Sequence, residues 1–199
     1  SYSQTLGYEN RQLELHQFRS RYHREEVTNN RGGWAKLEFS KTEHLTSEGY
    51  FTYLKEFKGG HSLNAVAGYS YFEKNGENFN AENYDFGVEG LKYWDLESGS
   101  YLTDGKAKMG SKKDITERLF ALYARANYSY NDKYMVTATI RHEGSSKFAA
   151  ENRWGNFWAL SGGWRVSGEE FMKEFDWVND LKIRFGYGVT GNNDFDASY

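Results

Sequence analysis

The sequence contains no cysteine and no proline. Without cysteine there is no disulfide framework, no thiolate metal site and no cysteine nucleophile. Average usage would place roughly ten prolines in a chain this long, and their absence has no evident physical cause. Long apolar runs are also missing. The longest, Leu119 to Ala124, falls far short of the roughly 18 to 20 residues that a membrane-spanning helix needs. The opening residues, Ser-Tyr-Ser-Gln-Thr-Leu, have neither the basic region nor the apolar stretch of a signal peptide, so the chain is expected to begin at a mature or internal position. Neither sign of charge dominates. A net charge of -3 and a pI near 6.0 give no global pull towards nucleic acid or anionic lipid.

Aromatics are abundant, at 18% of the 199 residues, with 16 tyrosines, 14 phenylalanines and 6 tryptophans beside 21 glycines. Such residues favour strands and membrane interfaces. Their arrangement has a period of two, which places successive side chains on opposite faces of a strand. Between Glu117 and Asn131, Phe120, Leu122, Ala124, Ala126, Tyr128 and Tyr130 share one face, and Tyr123, Arg125, Asn127 and Ser129 the other. Asn131-Asp132-Lys133 predicts a tight turn. Beyond it Tyr134, Val136, Ala138 and Ile140 oppose Lys133, Thr137, Thr139, Arg141 and Glu143. A third strand sets Trp158, Leu160, Trp164 and Val166 against Asn156, Ser161 and Arg165; a fourth sets Leu181, Ile183, Phe185, Tyr187 and Val189 against Lys182, Arg184 and Thr190. Upstream, His61 to Phe72 alternates and is joined through Lys58-Gly59-Gly60 to a strand from about Glu48. Weaker strands are expected over 10–24 and 32–41, and a short helical turn between Ser167 and Asp180.

The connections alternate between short (58–60, 131–133) and long (75–116, 144–155). Outer-membrane barrels have this rhythm, with short periplasmic turns and long external loops. The expected fold class is therefore all-β: an antiparallel transmembrane β-barrel segment, with 1–199 forming part of one barrel domain and 75–116 a long extracellular loop. About eight strands leave the sheet edges open unless other strands cover them. A soluble β-sandwich would also alternate. The clustering of Tyr128, Tyr130 and Tyr134 at a tight turn on the apolar face instead fits an aromatic girdle.

At these same strands the sequence resembles the C-terminal half of SusC/RagA-type TonB-dependent transporters. Tyr123-Ala-Arg125-Ala-Asn127-Tyr128-Ser-Tyr-Asn131-Asp-Lys133-Tyr134 is similar to that family's strand, turn and strand. Arg141-His-Glu143-Gly144-Ser145-Ser146-Lys147-Phe148 is similar to its Arg-x-Asp-Gly-Ser-Ser-x-Phe block. Trp164-Arg165-Val-Ser-Gly-Glu-Glu170-Phe171 and Leu181-Lys182-Ile-Arg184-Phe-Gly-Tyr187-Gly188-Val-Thr190-Gly191-Asn192 resemble two more. Together the blocks cover 117–193. Upstream, Tyr53 to Phe57 and His61 to Tyr69 are similar but less distinctive, and 1–47 match loosely. Glu143 stands where the family has Asp, and Phe157-Trp158 where it has Phe-Pro. The resemblance implies a non-enzymatic outer-membrane importer of large nutrients, oligosaccharides or peptides. Its implied partners are a SusD-like surface lipoprotein and the TonB complex, the latter acting through a plug region that this chain lacks. Outer-membrane lipid would surround a wall of about 22 strands.

Several sharper motifs carry less. Gly186-Tyr-Gly188-Val-Thr-Gly191 has the dinucleotide-binding spacing, but Asn192 to Asp196 reads as a turn where a helix should follow. Those Asn and Asp residues lack the spacing of a calcium loop. The histidines, at 16, 23, 44, 61 and 142, show no paired ligand spacing, so no metal and no cofactor is expected. The candidate ligand-binding residues are Arg125, Arg141, Lys182 and Arg184 on the polar faces, and Tyr84, Tyr93, Trp94 and Tyr101 in the long loop, where exposed aromatics could stack on sugar rings. No catalytic residue is expected. A small autonomous outer-membrane barrel and a soluble glycan-binding sandwich remain the alternatives to an importer.

Overall fold

Alternation of apolar and polar residues makes each strand two-faced, and pairing such strands in register makes a two-faced sheet. A computed structural model of the chain describes residues 1–114, 116–175 and 177–191; the turn expected at 192–196 lies outside them. The strands are β1 (Tyr2–Ser20), β2 (Gly33–Phe57), β3 (His61–Tyr84), β4 (Lys108–Lys113), β5 (Glu117–Tyr130), β6 (Tyr134–Ser145), β7 (Trp154–Arg165) and β8 (Lys182–Gly188). They form one eight-stranded sheet in the order β1-β2-β3-β5-β6-β7-β8, with β4 paired to β3 off this path. β1 and β8 end the path, so the sheet does not close among the described residues. Neither the small autonomous barrel nor the sandwich is what these strands build.

The chain divides into two units. The first comprises Ser1–Gly7, Leu45–Glu73 and the described part of Glu117–Tyr199; the second comprises Tyr8–His44 and Lys74–Thr116. In the first, the register runs unbroken across four strands: Tyr130 opposite Tyr134, Tyr134 opposite Trp164, Trp164 opposite Ile183. Its turns set that register. Asn131 and Asp132 both have left-handed backbones, at φ 49° and 55°, and Lys133 N–H donates to the Tyr130 carbonyl at 3.0 Å. Asn and Asp tolerate that conformation, which matches the twist of a hairpin. The Asn131 amide donates in turn to the Gly60 carbonyl at 2.7 Å. Gly60, at φ 80°, lies so close to the Asn131 side chain that a Cβ would collide with it.

In the second unit the links are local. α1 (Arg24–Thr28) turns the chain between β1 and β2, and α2 (Ser100–Thr103) lies in the connection between β3 and β4. The core of this unit is small: Trp34, Ala35, Asn83, Tyr84, Phe86 and the carboxylate of Glu26 are buried.

Several expectations shift. The strands expected over 32–41 and from Glu48 are one continuous strand, β2. The connection expected over 75–116 is narrower, because β3 runs on to Tyr84 and Lys108–Lys113 form β4. Lys, Asn, Gly and Glu in those stretches carry weak strand propensity alone, and ladder pairing from Glu77–Lys113 to Glu82–Lys108 overrides it. The short helix expected between Ser167 and Asp180 is two single 3-10 turns, Val166–Gly168 and Glu170–Met172.

Candidate functional site

The functional surface of the first unit is the sheet itself. Its register stacks apolar side chains in rows running across the strands. One row is Tyr130, Tyr134, Trp164 and Ile183; the next is Tyr128, Val136, Gly162 and Phe185; then follow Ala126, Ala138, Leu160 and Tyr187, and after them Ala124, Ile140 and Trp158. Nothing among the described residues covers this face: Ile140 is 55% exposed, Phe185 73% and Tyr187 71%, while the buried apolar residues of the unit are Ala121 and Val166. A water-soluble domain buries such rows against a second layer, and an exposed apolar patch of this extent marks a surface meant for another apolar phase. Asn156 was expected on the polar side but shares the parity of Trp158, and its Oδ1 meets His142 Nδ1 at 2.7 Å on the apolar face. That pair lies beside Trp154, which stacks on His142 at 4.8 Å. Gly144 leaves the space for the Trp154 ring, where a Cβ would collide.

A girdle closes the turn end of the apolar face. His61 packs on Tyr130 at 4.6 Å and meets the Tyr128 hydroxyl at 2.6 Å, and Tyr130 stacks with Tyr134. Tyr134 O–H and Trp164 Nε1–H both donate to Glu169 Oε1, at 2.6 and 3.1 Å, and Lys133 Nζ reaches Oε2 at 3.2 Å. The Tyr134 hydroxyl, then the Trp164 indole and Lys133, hold the Glu169 carboxyl below the ordinary glutamate range. Tyr and Trp with one polar end satisfied and the ring on apolar surface have the arrangement that membrane-interface residues adopt.

The opposite face carries the expected cations. Arg125 lies opposite Thr139 and donates to Asn127 Oδ1 at 3.2 Å. Arg141 is engaged by Glu143 at 2.5 Å, with Ser70 Oγ at 3.5 Å. Lys182 lies opposite Arg165, and Arg184 opposite Gly163. All four fall on one face, separated by small residues such as Thr137, Ser161 and Gly186. Glu143, in the position of the expected Asp, is the partner of Arg141, and Trp158 sits inside β7 on the apolar side. Neither departure disturbs the ladder.

In the second unit the four aromatics do not form one platform. Tyr84 is buried, 7% exposed, with the Arg31 guanidinium 4.5 Å above its ring and Tyr101 at 5.3 Å. It is a core residue and not an open stacking surface. Tyr93 and Trp94 pack on His16 at 4.9 and 5.4 Å, and Trp94 stays 72% exposed. On β1, His16 and Arg19 have opposite parity, so Trp94 and the buried Glu26 cluster lie on different sides of that strand.

Asp85 organises this unit, and sequence reasoning missed it. Its carboxylate accepts from Ser100 Oγ and from the Gly32 amide, both at 2.8 Å, and its backbone is left-handed at φ 62°. The Ser100 hydroxyl first, and the Gly32 amide second, hold its pKa below the ordinary aspartate value. A depressed carboxylate stabilises the fold above the unfolded value, near 3.9, and the contribution is lost as pH falls through the folded value. Asp85→Ala at neutral pH removes both acceptors and adds left-handed strain, for an expected local loss of about 1.5 kcal/mol. Asp85→Asn, which tolerates the backbone and keeps one acceptor, is expected to lose less. Proteolysis within 85–107 measures both; equal cleavage of the two variants and wild type at pH 7 sinks the assignment.

No protein-family model matches the chain. Curated relatives do: it is 34% identical to TonB-dependent receptor P39 of Formosa agariphila, over 96% of this chain and 18% of that protein. It is 33% identical to TonB-dependent receptor P3 of the same organism, over 81% of this chain and 16% of that protein. Against TonB-dependent receptor SusC of Bacteroides thetaiotaomicron it is 39% identical over 44% of the chain and 9% of that protein. Among solved structures, the RagAB peptide transporter superposes with a TM-score of 0.80 at 19% identity, over 98% of this chain and 21% of that one. The RagAB peptide importer in its open-open state gives 0.74 at 20% identity, over 96% and 20%. The chain thus spans less than a fifth of the length of the curated relatives it matches. With its two-faced antiparallel sheet, its aromatic girdle and these relatives, the chain is a segment of the β-barrel wall of a SusC/RagA-type TonB-dependent receptor and not of an enzyme.

Proposed function

We propose that this segment is part of the outer-membrane wall of an active importer of large nutrients, oligosaccharides or peptides. The importer works beneath a SusD-like lipoprotein and draws energy from the TonB complex. The single observation that carries the reading is the exposed apolar face, whose ordered rows from Tyr130 to Trp158 end in a girdle. Lipid supplies the apolar phase that such a face needs, and the cation-bearing face then turns to a wet lumen. On this reading the turns at 58–60 and 131–133 are periplasmic, and the connection inside 75–116 is extracellular. Arg125, Arg141, Lys182 and Arg184 line the lumen, where a plug or cargo meets them, and Trp94 and Tyr93 are the loop aromatics open to a sugar ring or a lid protein. Tyr84 and Tyr101 support that loop from within.

The first test is the native polypeptide itself. Mass spectrometry of outer-membrane fractions from the source cell is expected to find these residues in a product several times larger than 23.1 kDa. A co-purifying surface lipoprotein and oligomer uptake abolished by collapsing the proton gradient are also expected. A native product near 23 kDa, or residence in the soluble fraction, overturns the reading.

A further inference from the structure

At the β6–β7 end of the polar face, beyond the small-residue centre of the sheet, lies a recess of about 320 Å³ lined by Arg141, Glu143, Phe148, Arg153, Phe157 and Thr190, among others. Its volume falls at the lower end of the roughly 300–1,000 Å³ range of small-ligand sites, so it admits one unit of an oligomer and not a folded segment. The charges within it do not balance. Glu143 is taken up by Arg141, whose Nε and Nη2 both reach Oε2 at 2.5 Å. Arg153 is exposed, its carbonyl accepts from the Ser145 amide at 3.1 Å, and its guanidinium has no acidic partner within ion-pair distance among the described residues. Among the described residues that line it, one net positive charge therefore remains. Beside it lies an aromatic wall. Gly155 and Gly191 flank Phe157 so closely that a Cβ at either would collide with the ring. Glycine at both positions lets Phe157 lie along the strands with no side chain crowding it.

We propose that this recess binds a carboxylate-bearing unit of the imported material, a reading that rests on the import function above. The fork of Arg153 matches a carboxylate bidentately, and Phe157 with Phe148 receives the unit's apolar face. Two sources present that chemistry: the C-terminal residue of a peptide, and a uronic acid in an oligosaccharide. A neutral unit leaves Arg153 unpaired, and a cationic one is repelled by it.

The test uses the full-length receptor that carries this segment, purified in detergent and, in parallel, in cells. The probes are a tripeptide ending in leucine with a free or an amidated C-terminus, and a uronic-acid trisaccharide with its carboxyl-reduced neutral form. One acidic probe is expected to bind about tenfold more tightly than its neutral counterpart, the size of one charge-assisted contact. Which pair shows the preference identifies the source. Arg153→Gln is expected to abolish the preference, Arg153→Lys to restore part of it, and Glu143→Gln, which frees Arg141, to raise it severalfold. Equal binding of acidic and neutral probes, or a preference that survives Arg153→Gln, overturns the site. Uptake of oligomers without any acid preference removes the site and leaves the importer standing; acid-selective binding without energy-dependent uptake does the reverse.

Discussion

Replacing Glu26 by leucine is expected to destabilise the unit built from Tyr8–His44 and Lys74–Thr116 by about 2–3 kcal/mol, the cost of taking the carboxylate from between two half-buried guanidiniums, of which Arg19 keeps Glu25. Glu26 is wholly buried in α1 and faces two guanidiniums. Arg31 Nη2 donates to its Oε1 at 3.1 Å, and Arg31 Nε approaches Oε2 at 2.8 Å as an ion pair without a well-aligned hydrogen bond. Arg19 Nε lies 3.6 Å from Oε1, and Arg19 also contacts Glu25. Both guanidiniums are held in place by aromatic rings, Arg19 at 3.9 Å over Trp34 and Arg31 at 4.5 Å over Tyr84. They cannot swing to water without giving up those contacts. Beneath them Trp34 Nε1 donates to Glu82 at 3.1 Å, and Lys108 pairs with Glu82 at 3.0 Å. The double variant Glu26→Leu with Arg31→Met is expected to recover part of the loss, because it removes a stranded charge instead of creating one. Hydrogen exchange of the amides at 24–34 in the full-length protein reads the effect. If Glu26→Leu leaves their protection within a factor of about three, corresponding to less than 1 kcal/mol, the cluster is not what holds the turn.

How far the sequence could be read depended on the kind of physics at each position. The period of two is a one-dimensional signal, and from Glu117 to Arg165 it placed nearly every side chain on its correct face, because neither the Asn131 turn nor the Gly162-Gly163 pair shifts the register. Asn156 was misplaced because a polar residue was assigned to the polar side without counting parity from Trp158. Strand ends were harder. β2 and β3 continue through Lys41, Glu43, Asn75 and Glu77, where propensity is weak and pairing with neighbouring strands decides. Least legible was the second unit. Its core joins Trp34 with Glu82 and Asp85 with Gly32 across long stretches of sequence, and closes Glu26 onto Arg19 and Arg31 and Asp85 onto Ser100 around irregular turns. No periodicity announces such pairs. Tyr84 looked available for stacking because the connection was drawn from Asn75, whereas the ladder carries it into the core. The recess sets Arg153 and Phe157 beside Arg141 and Thr190, which come from other elements, and residue spacing alone does not bring those together.

Placing an arginine at position 140 or at position 139 should separate the two faces more sharply than any other pair of substitutions. The residues are adjacent in β6 and differ only in parity. Ile140 sits in the row with Ala124 and Trp158, between the girdle at Tyr134 and the Trp154 end of the apolar face, and Thr139 lies opposite Arg125 and Ala159 on the other side. If the apolar rows meet lipid, Ile140→Arg puts a charge near the middle of the hydrocarbon and costs about 2–4 kcal/mol. Thr139→Arg puts the same side chain on the polar face, half-buried and directly opposite Arg125, and is expected to cost less than about 1 kcal/mol, most of it cross-strand repulsion. The girdle supplies a depth control. Arginine in place of Tyr134 falls at the interface, where a cationic side chain can reach the headgroups, and the expected cost drops to about 1 kcal/mol or less, apart from the lost bond to Glu169. Heat-modifiable migration of the full-length receptor against urea concentration gives all three values. A cost at 140 well above those at both 134 and 139 follows from a wall between lipid and water. Equal costs at 139 and 140 would mean that both faces meet the same medium, and the lipid-facing assignment would fall with the import function built on it.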